Sequence, residues 1–193
     1  TYSIKVTVND DGKDIGEMYM NTYPNNGPTY VHPSATLIRT VEMWGEGKWE
    51  NFYTAFSGAT NLTIPATDEP DLSLVTQMGD AFKNCTSLVG TTFNDWNVST
   101  IQDMAFTFEG ATSFNGNISS WITGALTTMR HTFRGATAFN QNIGAWDTAD
   151  VTSMQATFRE ATIFNQNISS WNTANVTTMV QMFYGATAFN QDL

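Results

Sequence analysis

Few side chains in this sequence have the type and spacing that chemistry needs. The two histidines, His32 and His131, stand far apart, and His131 reads as a solvated neighbour of Arg130 and Arg134 rather than a general base. The single cysteine, Cys85, excludes an internal disulfide framework. It falls where related stretches carry alanine, so it reads as a small buried residue. Asp10, Asp11, Asp14 and Glu17 form an acidic cluster, but Gly12 has no aspartate six residues before it and no glutamate six after, so the calcium-loop register is missed. Asp147 and Asp150 lie in a stretch that varies between copies of a repeat, and neither a glycine-rich phosphate loop nor a nucleophile elbow occurs. The expectation is a protein that is not an enzyme and uses no metal and no cofactor.

Binding chemistry is better represented. Arg130, Arg134, Arg159 and Tyr184 fall on outward, variable positions of successive repeats. Arginine and tyrosine are the types over-represented at interface hot spots, so these four are the candidate binding residues. The charge balance narrows the partner. Eighteen acidic against eight basic side chains give a net charge of -10, which repels phosphate backbones and argues against nucleic acid. No apolar run is long enough to span a bilayer, so membrane insertion is not expected. The opening TYSIKVTVND lacks the basic and apolar regions of a signal peptide.

The elements that must position these residues are set by a repeat. Trp96, Trp121, Trp146 and Trp171 fall 25 residues apart. The same interval separates Met104, Met129, Met154 and Met179, then Phe108, Phe133, Phe158 and Phe183, then Phe114, Phe139, Phe164 and Phe189. Two degenerate copies precede them, one through Val75, Met78, Phe82, Cys85 and Leu88, the other through Trp49, Phe52, Phe56, Ala59 and Leu62, giving about six coils. In one copy Val151, Met154, Phe158 and Ala161 sit at i, i+3, i+7 and i+10, the stripe of a short helix. Thr152 and Gln155 have capping-box spacing, with Thr76, Thr127 and Thr177 in the same N-cap place. Gly58, Gly110, Gly135 and Gly185 would end that helix left-handed, with Asn84 and Glu160 in their column. Phe164 to Thr173 reads as one brief extended segment per coil, and stacking would align such segments into a narrow parallel sheet. Asn115, Asn140, Asn165 and Asn190 each follow a core phenylalanine and read as an amide ladder serving buried turn backbone.

The fold expectation is therefore an α/β repeat solenoid of about six coils, each a short helix plus an extended segment, with an N-terminal β cap. Residues 1–40 form the β-rich cap or the end of a preceding β-sandwich, and residues 41–193 the solenoid. The chain stops at the isoleucine place of its last coil, Leu193, so that coil would show an apolar face, covered by further coils or by end-to-end contact with another molecule.

WNTANVTTMVQMFYGATAFNQDL resembles the repeat of BspA-like leucine-rich-repeat surface proteins of bacteria, and WGEGKWENFYTAFSGATNLTIPATDEPDLSLVTQM resembles the opening coils of that family. TYSIKVTV resembles the last strand of a polycystic-kidney-disease-type β-sandwich. The resemblance implies a leucine-rich-repeat-like fold, an extracellular or cell-surface location, and adhesion to extracellular protein or glycan. Glu160, and Ile122 with Gly124–Ala125–Leu126, depart from the repeat pattern. The expected function is a ligand-binding module of a bacterial adhesin. The alternatives are a structural spacer or self-assembling element, and an ice-binding module built on the file Thr60, Thr86, Thr112, Thr137, Thr162 and Thr187.

Overall fold

The computed structural model describes residues 3–8, 18–19 and 38–192. Three strands, β1 (Ser3–Val8), β2 (Met18–Tyr19) and β3 (Ile38–Met43), make an antiparallel sheet in the order β2-β1-β3. Strand β3 carries the chain into the repeats through a parallel bridge from Thr40 to Thr63. The acidic residues Asp10, Asp11, Asp14 and Glu17, and His32, lie outside the described residues.

The repeats stack as coils 1 (49–69), 2 (70–95), 3 (96–120), 4 (121–145), 5 (146–170) and 6 (171–192), but not as an α/β solenoid. Among the described residues there is no helix. Each stretch read as a helix is a run of consecutive turns. In coil 3 the N–H groups of Thr107, Glu109 and Ala111 close turns on Met104, Phe106 and Phe108, three residues back. The intervening N–H groups, those of Met104, Phe106, Phe108 and Gly110, leave the coil and bond Thr128, Arg130, Thr132 and Arg134 of coil 4. A helix would send every one of these N–H groups back along its own segment. Alternation instead gives coils 2 to 5 four backbone bonds each to the following coil while satisfying the rest internally.

That alternation needs left-handed residues. The Gly58, Asn84, Gly110, Gly135, Glu160 and Gly185 column is left-handed throughout, closing a turn rather than a helix. A second left-handed column, four residues earlier, holds Thr54, Asp80, Phe106, His131, Ala156 and Gln181. None of these is glycine, and each costs on the order of 1 kcal/mol of backbone strain. The capping-box reading falls with the helix, because the Thr152 hydroxyl donates to the Thr127 carbonyl of the preceding coil.

The expected parallel sheet is also corrected. Coils 2 to 6 join as isolated single-residue parallel bridges, Gln77 to Asp103, Asp103 to Thr128, Thr128 to Ser153 and Ser153 to Thr178. These bridges sit at the entrance to the turn run, not in the Phe164–Thr173 type of segment. That segment is broken by Asx turns such as Asn167 Oδ1 accepting from the Ser169 N–H, which divert the backbone from a ladder.

The burial pattern is what the periodicity implies, since Val151, Met154, Phe158 and Ala161 are all fully buried. Phe56, Phe82, Phe108, Phe133, Phe158 and Phe183 form one stack with ring centroids 5.5–5.7 Å apart. Phe114, Phe139, Phe164 and Phe189 form a second at 5.9–6.0 Å. Within a coil the two stacks touch face to face, as Phe133 and Phe139 do at 4.0 Å. Cys85 is buried and donates its thiol to the Phe56 carbonyl, and burial holds that thiol well above its ordinary pKa.

Candidate functional site

On a scaffold this regular, the places where side chains differ from coil to coil are the places to look for recognition. Three variable columns lie along one side of the turn run, with Gly79, Asp80 and Ala156 buried among them. The first follows the bridge methionine (Gly79, Ala105, Arg130, Gln155, Val180), and the second is the non-glycine left-handed column. The third precedes the glycine column (Lys83, Glu109, Arg134, Arg159, Tyr184). All four basic residues beyond residue 50, namely Lys83, Arg130, Arg134 and Arg159, belong to these columns.

The structure brings the four candidate binding residues onto this face but gives each a partner. Arg134 Nη1 donates to Glu109 Oε1 at 2.9 Å across the step between coils 3 and 4. The Arg130 guanidinium lies 4.6 Å from the centre of the Phe106 ring. Arg159 donates from Nε to Glu160 at 3.2 Å and from Nη1 to Gln181 at 2.5 Å, and its guanidinium lies 5.1 Å over the Tyr184 ring. Tyr184 remains 61% exposed, and Arg130 is exposed as well, so these two are the accessible members of the set.

Glu109 is the hub. Its Oε1 takes Arg134, its Oε2 lies 3.2 Å from Lys83 Nζ, and Lys83 turns to Asp80 at 3.0 Å. The Lys83 pair with Oε2 is a charge contact short of a formed hydrogen bond. Burial of Lys83 pushes its pKa down, but the Asp80 hydrogen bond and the Glu109 charge outweigh it and the net shift is upward. Tyr53 is shifted upward too, first by burial and then by Asp80 and Asp103. His131, expected to be solvated, is instead only 15% exposed at its side chain and packs on Phe106 with ring centroids 4.7 Å apart.

Glu109, Phe106 and Glu160 were missed by reading residues singly. The signal was there for Glu109, which stands 25 residues before Arg134 in the same column with opposite charge.

The asparagine column lies elsewhere on the coil. Asn140, Asn165 and Asn190 each donate their backbone N–H to the preceding Asn Oδ1 (of Asn115, Asn140 and Asn165) at 2.9 Å. Gln141, Gln166 and Gln191 add a second amide contact to the same oxygens. The threonine file is similarly engaged, each hydroxyl from Thr86 to Thr187 donating to the carbonyl of the threonine one coil before. Among the described residues no three His, Cys, Asp or Glu side chains approach closely enough to hold a metal ion, and no helix is long and apolar enough to cross a membrane.

A family model described as "Mycoplasma protein of unknown function, DUF285" matches residues 50–142 and again 117–193. The chain belongs to that family. The two matches overlap over residues 117–142. Membership is compatible with a bacterial repeat protein of the surface type, but it does not extend to the leucine-rich-repeat class suggested by the BspA-like resemblance. No curated protein and no solved structure matches the chain.

Proposed function

We propose that this DUF285 chain is a binding module of a bacterial cell-surface or secreted protein, and that it recognises an extracellular protein or glycan through the face carrying Arg130 and Tyr184. The observation that carries the reading is the contrast in side-chain use. The inward columns largely repeat one residue type, whereas the columns of this face hold all four basic residues beyond residue 50 together with Glu109, Phe106 and Tyr184. Tyr184 stands exposed on the Arg159 guanidinium, an aromatic anchor already held in place before a partner arrives. The family match supports the bacterial surface setting.

The test is binding of the intact chain to arrays of matrix proteins, glycans and microbial cells. Saturable binding weakened about tenfold or more by Tyr184→Ala or Arg130→Ala supports the face, since truncating a hot spot costs on the order of 2 kcal/mol. Binding untouched by both substitutions moves recognition elsewhere on the coils. A second reading, a structural spacer, is favoured by the contacts that bridge neighbouring coils, the Arg134–Glu109 ion pair and the Arg159–Gln181 hydrogen bond. Absence of any ligand across the arrays would leave that reading in place. The ice-binding alternative draws no support from the threonine file, whose hydroxyl protons are already donated to backbone carbonyls.

A further inference from the structure

The charge count around His131 is uneven before that residue takes any proton. Its own coil presents Arg130 and Arg134. Coil 3 presents Glu109, whose Oε1 lies 4.0 Å from His131 Nδ1, and the ring of Phe106. Coil 2 presents Lys83 with its partner Asp80. From coil 5 the contact is the Gln155 backbone carbonyl, which takes the His131 N–H at 2.9 Å. Three cations thus share two carboxylates, and Lys83 and Arg130 both lie 4.6 Å from the centre of the Phe106 ring on which His131 packs. The Nδ1 atom is buried with no hydrogen-bond partner, so the neutral ring already sits in a place that offers it little. The attractive group that faces it, Glu109 Oε1, is engaged by Arg134 at 2.9 Å.

We propose that His131 is an acid-sensitive latch between coils 3 and 4: neutral, it packs on Phe106 and closes the Glu109 hub, and protonated, it adds a fourth cation that pushes the hub apart. Among the described residues the hub is the one place where ion pairs tie three successive coils together, from Asp80 and Lys83 through Glu109 to Arg134. Its loosening therefore acts on the steps on both sides of coil 3.

The direction of the titration agrees. Burial lowers the His131 pKa below its ordinary value; Glu109 opposes this, and Arg134, Arg130 and Lys83 add to it. The folded protein then holds this proton less well than the unfolded chain does. Stability is fully present at neutral pH and is lost as the pH falls below the ordinary histidine value toward the lowered one.

Two measurements on the intact chain test the latch. An imidazole titration followed by NMR should place His131 below an unstructured histidine. Amide exchange, corrected for intrinsic rates, should show local loosening between about pH 7 and pH 5. The Phe106 and Phe108 amides, which bond coil 4, should lose at least about threefold more protection than those of Phe133 and Phe158, which bond coils 5 and 6. His131→Gln should remove the difference. An unshifted or raised His131 titration overturns the proposal, whether or not the variant folds. So does a loss of protection spread evenly over all coils, or one that survives His131→Gln.

Discussion

The entry to the stack, from Trp44 to Trp96, and the run from Trp121 onward use the same aromatic residues and set their indoles differently. The phenylalanines stack in register throughout, Phe56 and Phe82 inclined by 3° and Phe133 and Phe158 by 4°, and Trp121 and Trp146 join them at 9°. At the start of the stack the indoles meet their neighbours edge-on, Trp44 to Trp96 at 89° and Phe52 to Trp96 at 89°. The indoles show the consequence. Trp121, Trp146 and Trp171 each donate Nε1–H to the carbonyl 28 residues earlier, of Phe93, Ile118 and Ile143. Trp44 and Trp96 are buried with no acceptor for theirs. A constant repeat length lets a polar atom find the same partner in every coil. Where the spacing changes, as from Met78 to Met104, the core packing and the backbone bonds of the turn run persist, while the Trp96 indole makes no bond.

The comparison can be broken first at its centre. Phe133→Ala should destabilise by about 3–5 kcal/mol in denaturant unfolding, since the ring is fully buried and its stack holds it on both faces. A loss below about 1 kcal/mol would mean that the stack repacks and that register contributes little. A pair of substitutions sharpens the contrast between the two ends. Trp146→Phe leaves the Ile118 carbonyl without its indole donor and should cost about 1–3 kcal/mol more than Trp96→Phe, which removes an unpaired N–H. Equal effects would show that the buried indole N–H groups are not what separates the regions.

Thr132→Val comes next. The hydroxyl is buried 2.8 Å from the Met129 carbonyl and 2.9 Å from that of Met104, so it serves two coils, and its loss should cost about 1–3 kcal/mol. The smallest effect is expected to be favourable. Glu160 holds a left-handed φ of 62° in a column otherwise filled by glycine and Asn84, so Glu160→Gly should stabilise by about 0.5–1 kcal/mol. A destabilised variant would show that the Arg159 contact outweighs the strain.

What the sequence made legible follows from the same distinction. Columns of Trp, Met and Phe fix which residues are buried, because burial needs only a recurring apolar type. The backbone between them was not legible. Spacings of three and four arise from a helix, and equally from consecutive turns whose closing bonds span three residues. The residues that decide between the two are Thr54, Asp80, Phe106, His131, Ala156 and Gln181, which share a left-handed conformation and no chemical property. From Thr54 to Ala156 each gives its N–H to the next coil, as Phe106 does to Arg130, and a single segment carries no trace of such bonds. The candidate face was half legible. Its arginines and Tyr184 stood out as variable outward residues, but Glu109 and Phe106 belong to the coil before Arg130 and Arg134 and emerge as partners only when the repeats are laid side by side.

The forward bonds of coils 3 to 5 have a consequence for how such a protein can change. Each N–H from Met104, Met129 or Met154 looks for a carbonyl at one fixed place in the following coil, whichever coil that is. Removing residues 121–145 would bring Trp146 directly after Ser120 and offer every one of those donors the same kind of acceptor it had before. Removing one residue from the same stretch would displace all of them together. For this architecture the natural unit of insertion and loss is the whole coil, and length can drift by coils far more freely than by single amino acids.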